Sequence, residues 1–405
     1  MANSLLTPKV ITKEALRILH NETTLLNNVN RSYNDRFARS GAKIGETLNI
    51  RKPNQFKIRR GRVAQVNDVQ EETIPLTVQQ PVGVDMKFDS RELTLDIDNF
   101  SERYIKPAVS RLTAALESDM MKYILPRIPN AVVNAGPLAL GDALNAGAKL
   151  TEHLAPSVER FALVNPQQGV DVVNGTSTLF NNQTEIGKQY REGRMGRAAG
   201  FDWYQTTTAP RFFSGAGTGY LVNGANQQAA DLGKPGETQT LVVDTGTGAL
   251  TEGTIFTLAG VYEVNPETKD QTGRLRQFTV ISANAVPATS IVISPAIVPS
   301  GPKQNVNVAP ADNAPFTLAT TASNNYDQGI FFQRDAFTLV TVDLEMPDGV
   351  DWKARESMDG VSMRLVRDWD IINDEWVTRL DILPAYAVLY PDWAVKALSR
   401  ATATT

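Results

Sequence analysis

The sequence predicts an α+β protein with an all-β module inserted into it. Residues 45–89 consist of alternating polar and apolar runs bounded by turn residues, a pattern typical of strands. Residues 101–125 carry one apolar stripe at helical spacing. Between Ala209 and Asn325 only 14 of 117 residues are charged, against 70 of the other 288, and this shift indicates a separate module. With 405 residues, 42% of them hydrophobic, the chain is long enough for two or three domains.

The first element along the chain is an amphipathic helix over residues 11–29, within an N-terminal arm that we place at residues 1–40. Thr12 is a candidate N-cap. The apolar residues at near-helical spacing are Ile11, Ala15, Leu16, Leu19, Leu26 and Val29.

A long hairpin that feeds a core strand follows over residues 41–90. Its strand-like runs are TLNIRKP, QFKIRRGRVAQV and TIPLTVQQPVGVDMKF. Basic residues occupy its early part and acidic residues its late part: Arg51, Lys52, Lys57, Arg59, Arg60 and Arg62, then Asp68, Glu71 and Glu72. We predict that these nine residues are intersubunit contacts, since such a ribbon can lie basic segment to acidic segment against a neighbouring copy.

Two alternatives for the hairpin charges stay open. The charges can form a solvated face, as charge runs usually do. They can also bind nucleic acid, but Phe56 is the only aromatic residue available to stack on a base.

Residues 91–135 contain the clearest helix of the chain, at residues 101–125. Asn99 and Glu102 have the spacing of a capping box, and Pro107 is placed to bend the helix early. The stripe that we expect in the core is formed by Ile105, Ala108, Val109, Leu112, Ala115, Leu116, Met120, Tyr123 and Ile124.

Residues 136–212 form the next predicted domain. They begin with a shorter helix, LGDALNAGAKLTEHL, followed by FALVNPQQ, a strand that runs into a turn and a helix start. The stretch EIGKQYREGRMGRAAGFDWYQT then ends in a strand. Its basic residues Lys188, Arg191, Arg194 and Arg197 suit phosphate or a scaffold's carboxylates, but a loop tied to local acids is the favoured interpretation, and we assign no ligand.

The inserted module is predicted at residues 213–325. The charge-poor segment holds 12 of the 28 glycines and 9 of the 22 prolines, with β-rich runs such as TQTLVVDT, TIFTLAGVYEV, LRQFTVISA and SIVISPAIV. This composition predicts a barrel or sandwich. The host domains resume over residues 326–405 and end in a polar tail, SRATATT, that we expect to be loose.

Catalytic motifs are weak throughout the chain. Asp244 in LVVDTGTG resembles the catalytic aspartate of an aspartic protease, but that mechanism needs a second carboxylate, and the sequence has no second Asp-Thr-Gly. A turn between strands is the favoured interpretation. His20 and His153 are far apart and lack a second ligand at metal spacing, so packing roles are favoured.

Phosphate and nucleotide motifs are equally weak. Gly215, Gly217 and Gly219 are not followed by the helix of a dinucleotide-binding fold, and Gly233-Lys234 lacks the remainder of a P-loop. The sequence therefore predicts no catalytic, cofactor-binding or metal-binding residues, and no cofactor.

The net charge and the lack of cysteine argue against some classes of function. The net charge of -4 opposes a coat that grips nucleic acid, and the chain has no cysteine for disulfides or thiolate sites. The N-terminal residues lack a secretory pattern and no apolar run is long enough to span a membrane, so we expect synthesis in the cytoplasm and no membrane contact.

The order of these elements resembles the coat proteins of short-tailed phages of the P-twenty-two-like group, within the capsid fold first seen in phage Hong Kong 97. FSERYIKPAVSRLTAALESDM is similar to the spine helix, and RKPNQFKIRRGRV to QEETIPLTV is similar to the extended loop. VNPQQ, EIGKQYREG and AAGFDWYQT are similar to the axial domain, and the segment from about Phe213 to Tyr326 is similar in position to the insertion domain. The resemblance covers essentially the whole chain.

The resemblance implies a Hong Kong 97-like fold with N-arm, extended loop, spine helix, peripheral and axial domains. It implies a major capsid protein made in the host bacterial cytoplasm that assembles with itself into pentamers and hexamers. The expected partners are a scaffolding protein, a portal protein and double-stranded DNA, which the virion shell encloses without sequence-specific binding. Covalent crosslinking through a lysine and an asparagine is not expected for members that carry an insertion.

Two other classes of function remain as alternatives. A phage or cell-surface binding protein is the second hypothesis, but its β module should be terminal, whereas this module interrupts a host domain. A hydrolase that uses Asp244 is the third.

Overall fold

The structure is a computed structural model that describes residues 8–32, 47–56, 62, 71–89, 105–176, 196–358, 360–372 and 375–403. Among these residues the α-helices are α1 Pro8–Glu22, α2 Lys106–Ile124, α3 Leu140–Glu152 and α4 Pro166–Thr176. The strands up to residue 213 are β1 Thr47–Arg51, β2 Thr73–Thr77, β3 Val82–Asp89, β4 Asn130–Val133, β5 Arg160–Val164, β6 Arg197–Ala198, β7 Phe201–Gln205 and β8 Phe212–Phe213. The next six are β9 Leu221–Val222, β10 Gln239–Asp244, β11 Ile255–Val264, β12 Gln271–Ala283, β13 Ser290–Ser294 and β14 Phe316–Leu318. The last six are β15 Asn324–Gln333, β16 Phe337–Val342, β17 Trp352–Met358, β18 Val361–Asp370, β19 Glu375–Val388 and β20 Ala394–Ala403.

These helices and strands confirm the predicted α+β class, and they divide into two compact units. The first unit comprises Met1–Ile50, Pro75–Met120 and Phe337–Ala387. The second comprises Arg51–Ile74, Met121–Ala336 and Val388–Thr405.

Helix α1 of the first unit begins and ends earlier than the sequence predicts. Pro8 opens it, since a residue without an N–H is tolerated in the first turn. Thr12 lies inside the helix and is buried, so its predicted role as N-cap is wrong. The helix stops at Glu22 because Thr23 Oγ1 and Asn27 Nδ2 both donate to the carbonyl of His20, which belongs to the last turn.

Helix α2 confirms the clearest prediction from the sequence. Pro107 is its second residue, in the first turn, and Asn99 and Glu102 lie outside the described residues. Most of the predicted stripe is buried, while Ala115 and Tyr123 are half-buried. The buried members are Ile105, Ala108, Val109, Leu112, Leu116, Met120 and Ile124.

The first unit is built on an antiparallel sheet with the order β16-β19-β18-β17, and β3 also pairs with β19. Strand β3 aligns with β19 over eight consecutive residues, from Val82 opposite Ile382 to Asp89 opposite Glu375. Helix α1 packs on β17 and β18. The predicted hairpin is present as far as it is described, because β1 and β2 form a two-stranded sheet.

The second unit contains a mixed sheet with the order β4-β20-β15-β5-β7-β6, and β8 also pairs with β15. The β20–β4 and β5–β7 pairs are parallel. Helix α3, which the sequence predicts ahead of the strand in FALVNPQQ, packs its buried face against this sheet. The core residues here include Ala143, Ala146, Leu150, Phe201, Phe331 and Val395.

The polar C-terminal tail is ordered where the structure describes it, so the prediction of a loose tail is wrong for Ser399–Ala403. These residues extend β20, and Ala403 and Thr402 pair with Asn324 and Asn325. Arg400 also forms an ion pair with the buried Asp171 of α4. Backbone pairing and this ion pair offset the entropy cost that favours disorder in a polar terminus.

Strands β9–β14, which we call the barrel, form a second antiparallel sheet with the order β14-β11-β12-β13-β10-β9. Val222 N donates to Ala314 O and Phe316 N donates to Tyr220 O, so β9 also bonds to the β14 side and the sheet closes on itself. The chain leaves and returns at neighbouring points, since Phe213 is paired with Asn325.

The glycine-rich and Asp-Thr-Gly motifs have packing explanations inside the barrel. Asp244 is the last residue of β10, and the chain bends at Thr245, whose φ is 54°. A Cβ added at Gly246 would overlap the ring of Tyr220, and one added at Gly217 would lie 2.8 Å from Ala249 O. Glycine is therefore needed where these segments approach each other closely.

Candidate functional site at the barrel–sheet interface and the hairpin base

Charged residues of the second unit converge on a cleft of about 450 Å³. Its walls come from barrel loops, from the segment before β20, and from the residues that follow β1 and precede β2, residues 52–55 and Glu72, which we call the hairpin base. The charged residues in its lining are Lys52, Glu72, Glu237, Lys269, Arg276, Lys303 and Asp392, together with His153.

The base of the hairpin is tied to the barrel by two ion pairs of opposite polarity. Lys52 Nζ lies 3.8 Å from Glu237 Oε1, and Glu72 Oε2 lies 3.1 Å from Lys303 Nζ. The two hairpin residues are themselves joined, because Lys52 N donates to Glu72 O at 2.8 Å. Burial raises the pKa of Glu237, while the nearby Lys52 acts in the opposite direction.

The predicted contact residues of the hairpin divide into four groups. Arg51 and Glu71 pair with each other at 3.3 Å on the exposed side of the hairpin. Lys52 and Glu72 pair with the barrel, and Arg62 is exposed. The remaining four residues, Lys57, Arg59, Arg60 and Asp68, lie outside the described residues.

Arg276 of β12 is buried between two carboxylates. Its Nη1 lies 3.0 Å from Glu263 Oε1, and its Nη2 forms an ion pair with Asp392 Oδ1. His153 is also buried, with Nε2 3.0 Å from the same Glu263 oxygen, and its carbonyl accepts a hydrogen bond from Trp393 Nε1. The structure thus places His153 in a packed polar cluster, as the sequence favours.

The electrostatics of this cluster follow from its pairing. Burial alone would raise the pKa of Glu263, but the hydrogen bond from His153 and the charge of Arg276 bring it down to about 2. For Asp392, burial acts in the same upward direction, and the charge of Arg276 outweighs it and lowers the pKa. The lowered pKa values keep both carboxylates of the cluster ionised at neutral pH.

Two lysines at the same barrel–sheet interface donate hydrogen bonds to carbonyl oxygens. Lys149 Nζ donates to Ala131 O at 2.7 Å and to Gln277 Oε1 at 2.6 Å. Lys396 Nζ donates to Gly253 O at 2.8 Å and is completely buried. Burial lowers the pKa of Lys149 to about 8 and that of Lys396 to about 7.

The sequence gives only a faint signal for these residues. Arg276 is the only charge in the run LRQFTVISA, and Glu263 is the only charge in the run TIFTLAGVYEV, within a charge-poor module. An isolated charge in an otherwise apolar run is costly to bury unless it is paired, so a partner elsewhere in the chain is expected. Among the described residues no three acidic, histidine or cysteine side chains are grouped to hold a metal ion.

Two further sequence predictions concern binding and membranes. Arg197 is exposed and lies 3.8 Å from Asp202, a local acid, as favoured for the basic stretch. Lys188, Arg191 and Arg194 lie outside the described residues. None of the described helices is both long and apolar enough to cross a membrane.

The chain matches one protein family and is similar to several solved structures. The family model for the P22 coat protein, gene protein 5, matches residues 1–397. Among solved structures the chain is similar to that of Mycobacterium phage Che8, with a TM-score of 0.48 and 10% identity over 93% of this chain and 90% of that one. The capsid of cyanophage P-SCSP1u has a TM-score of 0.44 and 9% identity over 90% and 85% of the two chains. The CUS-3 coat protein I-domain has a TM-score of 0.21 and 29% identity over 26% of this chain and 96% of that one. Among proteins of curated function none matches significantly.

Proposed function

The chain belongs to the P22 coat protein family, and from this premise we propose that it assembles into the icosahedral head shell of a tailed phage as pentamers and hexamers. The match over residues 1–397 carries the proposal, since it spans every predicted domain. Membership confirms the family resemblance of the sequence and, with it, the Hong Kong 97-like capsid fold.

The finer points of the proposal concern partners and location. A scaffolding protein assists assembly, a portal protein occupies one vertex, and the finished virion shell encloses double-stranded DNA without sequence-specific contacts. Synthesis takes place in the host cytoplasm. The net charge of -4 supports the DNA assignment, because a wall that must release its genome gains nothing from an excess of basic residues.

The protein has no catalytic role in this proposal. The family consists of coat proteins, and Asp244, the best enzymatic lead, ends a barrel strand beside the closely packed Gly246.

Residues 213–325 form an insertion domain in this proposal, and the closure of the barrel and the pairing of Phe213 with Asn325 support it. Expression of residues 213–325 alone tests these boundaries. We expect a cooperative unfolding transition from a β-rich protein, and an unfolded fragment would refute them.

Coexpression with a scaffolding protein followed by electron microscopy tests the function. We expect closed shells of uniform size, and protein that stays monomeric under these conditions would refute the proposal. Arg59, Arg60 and Arg62 remain proposed contacts with a neighbouring subunit. Their combined reversal to glutamate should weaken assembly without unfolding the subunit, and normal, equally salt-resistant shells would show that they lack this role.

A further inference from the structure

The hairpin base is held by the barrel at two separate loops. Glu237 lies just before β10, and Lys303 lies in the segment between β13 and β14. Their hairpin partners, Lys52 and Glu72, face each other across the hairpin through a backbone hydrogen bond. The barrel therefore contacts both edges of the hairpin at the same level.

The opposite polarity of the two ion pairs specifies one orientation of the hairpin. If the hairpin base turned over, Lys52 would approach Lys303 and Glu72 would approach Glu237, and both contacts would be repulsive. The free-energy cost of bringing like charges together at an interface is larger than the free energy that an exposed pair of unlike charges contributes. The Glu72–Lys303 pair is also largely shielded from solvent, with side-chain exposures of 12% and 13%, so salt screens it less than a surface pair.

The Arg51–Glu71 pair one residue away serves as a comparison. It links the two strands of the hairpin to each other, and its side chains are 73% and 53% exposed. It can hold the hairpin together but cannot orient it. Orientation therefore depends on Lys52 and Glu72, although all four charges look alike in the sequence.

We propose that the inserted barrel sets the direction in which the hairpin leaves the subunit, by holding the hairpin base through the Lys52–Glu237 and Glu72–Lys303 ion pairs. The inference rests on the proposed function, because the direction of the hairpin matters only where it meets a neighbouring subunit. Through these two ion pairs the barrel holds the hairpin in the same orientation in every copy of the subunit.

Charge reversal and charge exchange test this role. The variants are Lys52→Glu, Glu237→Lys and the double exchange Lys52→Glu/Glu237→Lys, with Glu72→Lys, Lys303→Glu and their double exchange as an independent second set. Arg274→Glu is the matched control, because Arg274 joins the barrel to Glu152 at 2.8 Å, away from the hairpin.

The first measurement is limited trypsin digestion of the unassembled full-length chain. The sequence offers four trypsin sites within the predicted hairpin, Lys57, Arg59, Arg60 and Arg62. We expect each single reversal to speed hairpin cleavage roughly fivefold, which corresponds to ~1 kcal/mol of lost restraint, and each double exchange to restore the wild-type rate. The control should be cleaved at the wild-type rate.

The second measurement is the diameter distribution of shells formed with scaffolding protein, by electron microscopy. The single reversals should give aberrant or unclosed shells, and the double exchanges should return them to the wild-type diameter. The inference would be overturned if the single variants were cleaved at the wild-type rate, or if they were cleaved faster but still formed normal shells.

If the single variants unfold, the double exchanges provide the test. Double-exchange proteins that fold but form aberrant shells would overturn the inference. Absence of shells from the wild-type chain would instead refute the proposed function.

Discussion

The interior of the barrel and its interface with the mixed sheet are built on different physical principles. The interior is apolar, with Leu241, Phe256, Phe278 and Ile293 all buried, and its tyrosine hydroxyl is fully used because Tyr220 Oη donates to Gly248 O and accepts from Ala288 N. The interface instead buries Arg276, Lys396 and His153, and Lys149 is half-buried there.

This contrast indicates a division of labour. Apolar burial supplies stability but little direction, because it depends on area. Ion pairs and hydrogen bonds to carbonyls require set distances and angles, so they fix one placement of the barrel on the sheet. The interface also holds charged side chains whose pKa values are shifted, whereas the interior is an apolar cluster, and this difference can be tested.

The largest effect is expected in the interior, for Phe256→Ala. The Phe256 ring stacks on Phe316 with centroids 4.5 Å apart and contacts Phe278, so truncation leaves a cavity in a closed barrel. We expect the free energy of unfolding to fall by about 3–5 kcal/mol, measured by denaturant titration. Val242→Ala on the exposed side of β10 is the control, and a loss below ~1 kcal/mol for Phe256→Ala would contradict the closed apolar core.

Arg276→Met should have the largest effect at the interface. The substitution leaves Glu263 and Asp392 buried without their cation, at a cost of about 3 kcal/mol near neutral pH. The pKa of Glu263 is lowered to about 2, so its stabilising contribution is present above its ordinary pKa and is lost as pH falls toward 2. The deficit of the variant should therefore shrink in acid, and thermal unfolding at several pH values measures it. A deficit that is constant with pH would argue against charge pairing.

Lys396→Met should remove part of the dependence of the free energy of unfolding on pH. Burial lowers the pKa of Lys396 to about 7, so between about pH 7 and its ordinary value the unfolded chain binds more protons and wild-type stability rises with pH. We expect a rise on the order of 1–2 kcal/mol over this range, smaller in the variant, measured by denaturant titration. Lys122→Met, which removes a lysine at an exposed position of α2, is the matched control. Equal curves for wild type and Lys396→Met would contradict the assignment.

Glu152→Gln should have the smallest effect. Arg274 and Glu152 join the barrel to α3 with side chains 59% and 39% exposed, and exposed pairs contribute roughly 0.2–1 kcal/mol. The small loss in melting temperature at low salt should vanish at high salt, because salt screens exposed charges. A loss well above ~1 kcal/mol would show that this exposed pair, too, positions the barrel.

Local periodicity predicted the elements that periodicity governs. The stripe from Ile105 to Ile124 predicted α2, and the four β-rich runs of the charge-poor segment coincide with β10–β13, except that β12 already begins at Gln271. The predictions failed where tertiary contacts decide the ends. Thr12 resembles a cap by residue type alone, and the tail from Ser399 resembles a loose terminus until it pairs with β15.

The partners of the charged residues were beyond the reach of the sequence. Arg276 is 116 residues from Asp392 and 123 residues from His153. The hairpin pattern predicted contacts to a neighbouring copy for all nine charges, and it could not show that Lys52 and Glu72 pair with the barrel while Arg51 and Glu71 pair with each other. That choice depends on which loop of the barrel lies opposite each side chain.

The sequence by itself determined the α+β class, the helices and strands, and the presence of a charge-poor β module, because these follow from residue spacing and composition. Only the tertiary structure decided which charges are buried together and which loops of the barrel hold the hairpin. The physical reason is that an ion pair acts over a few ångströms of space, and separation along the chain says little about distance in the fold.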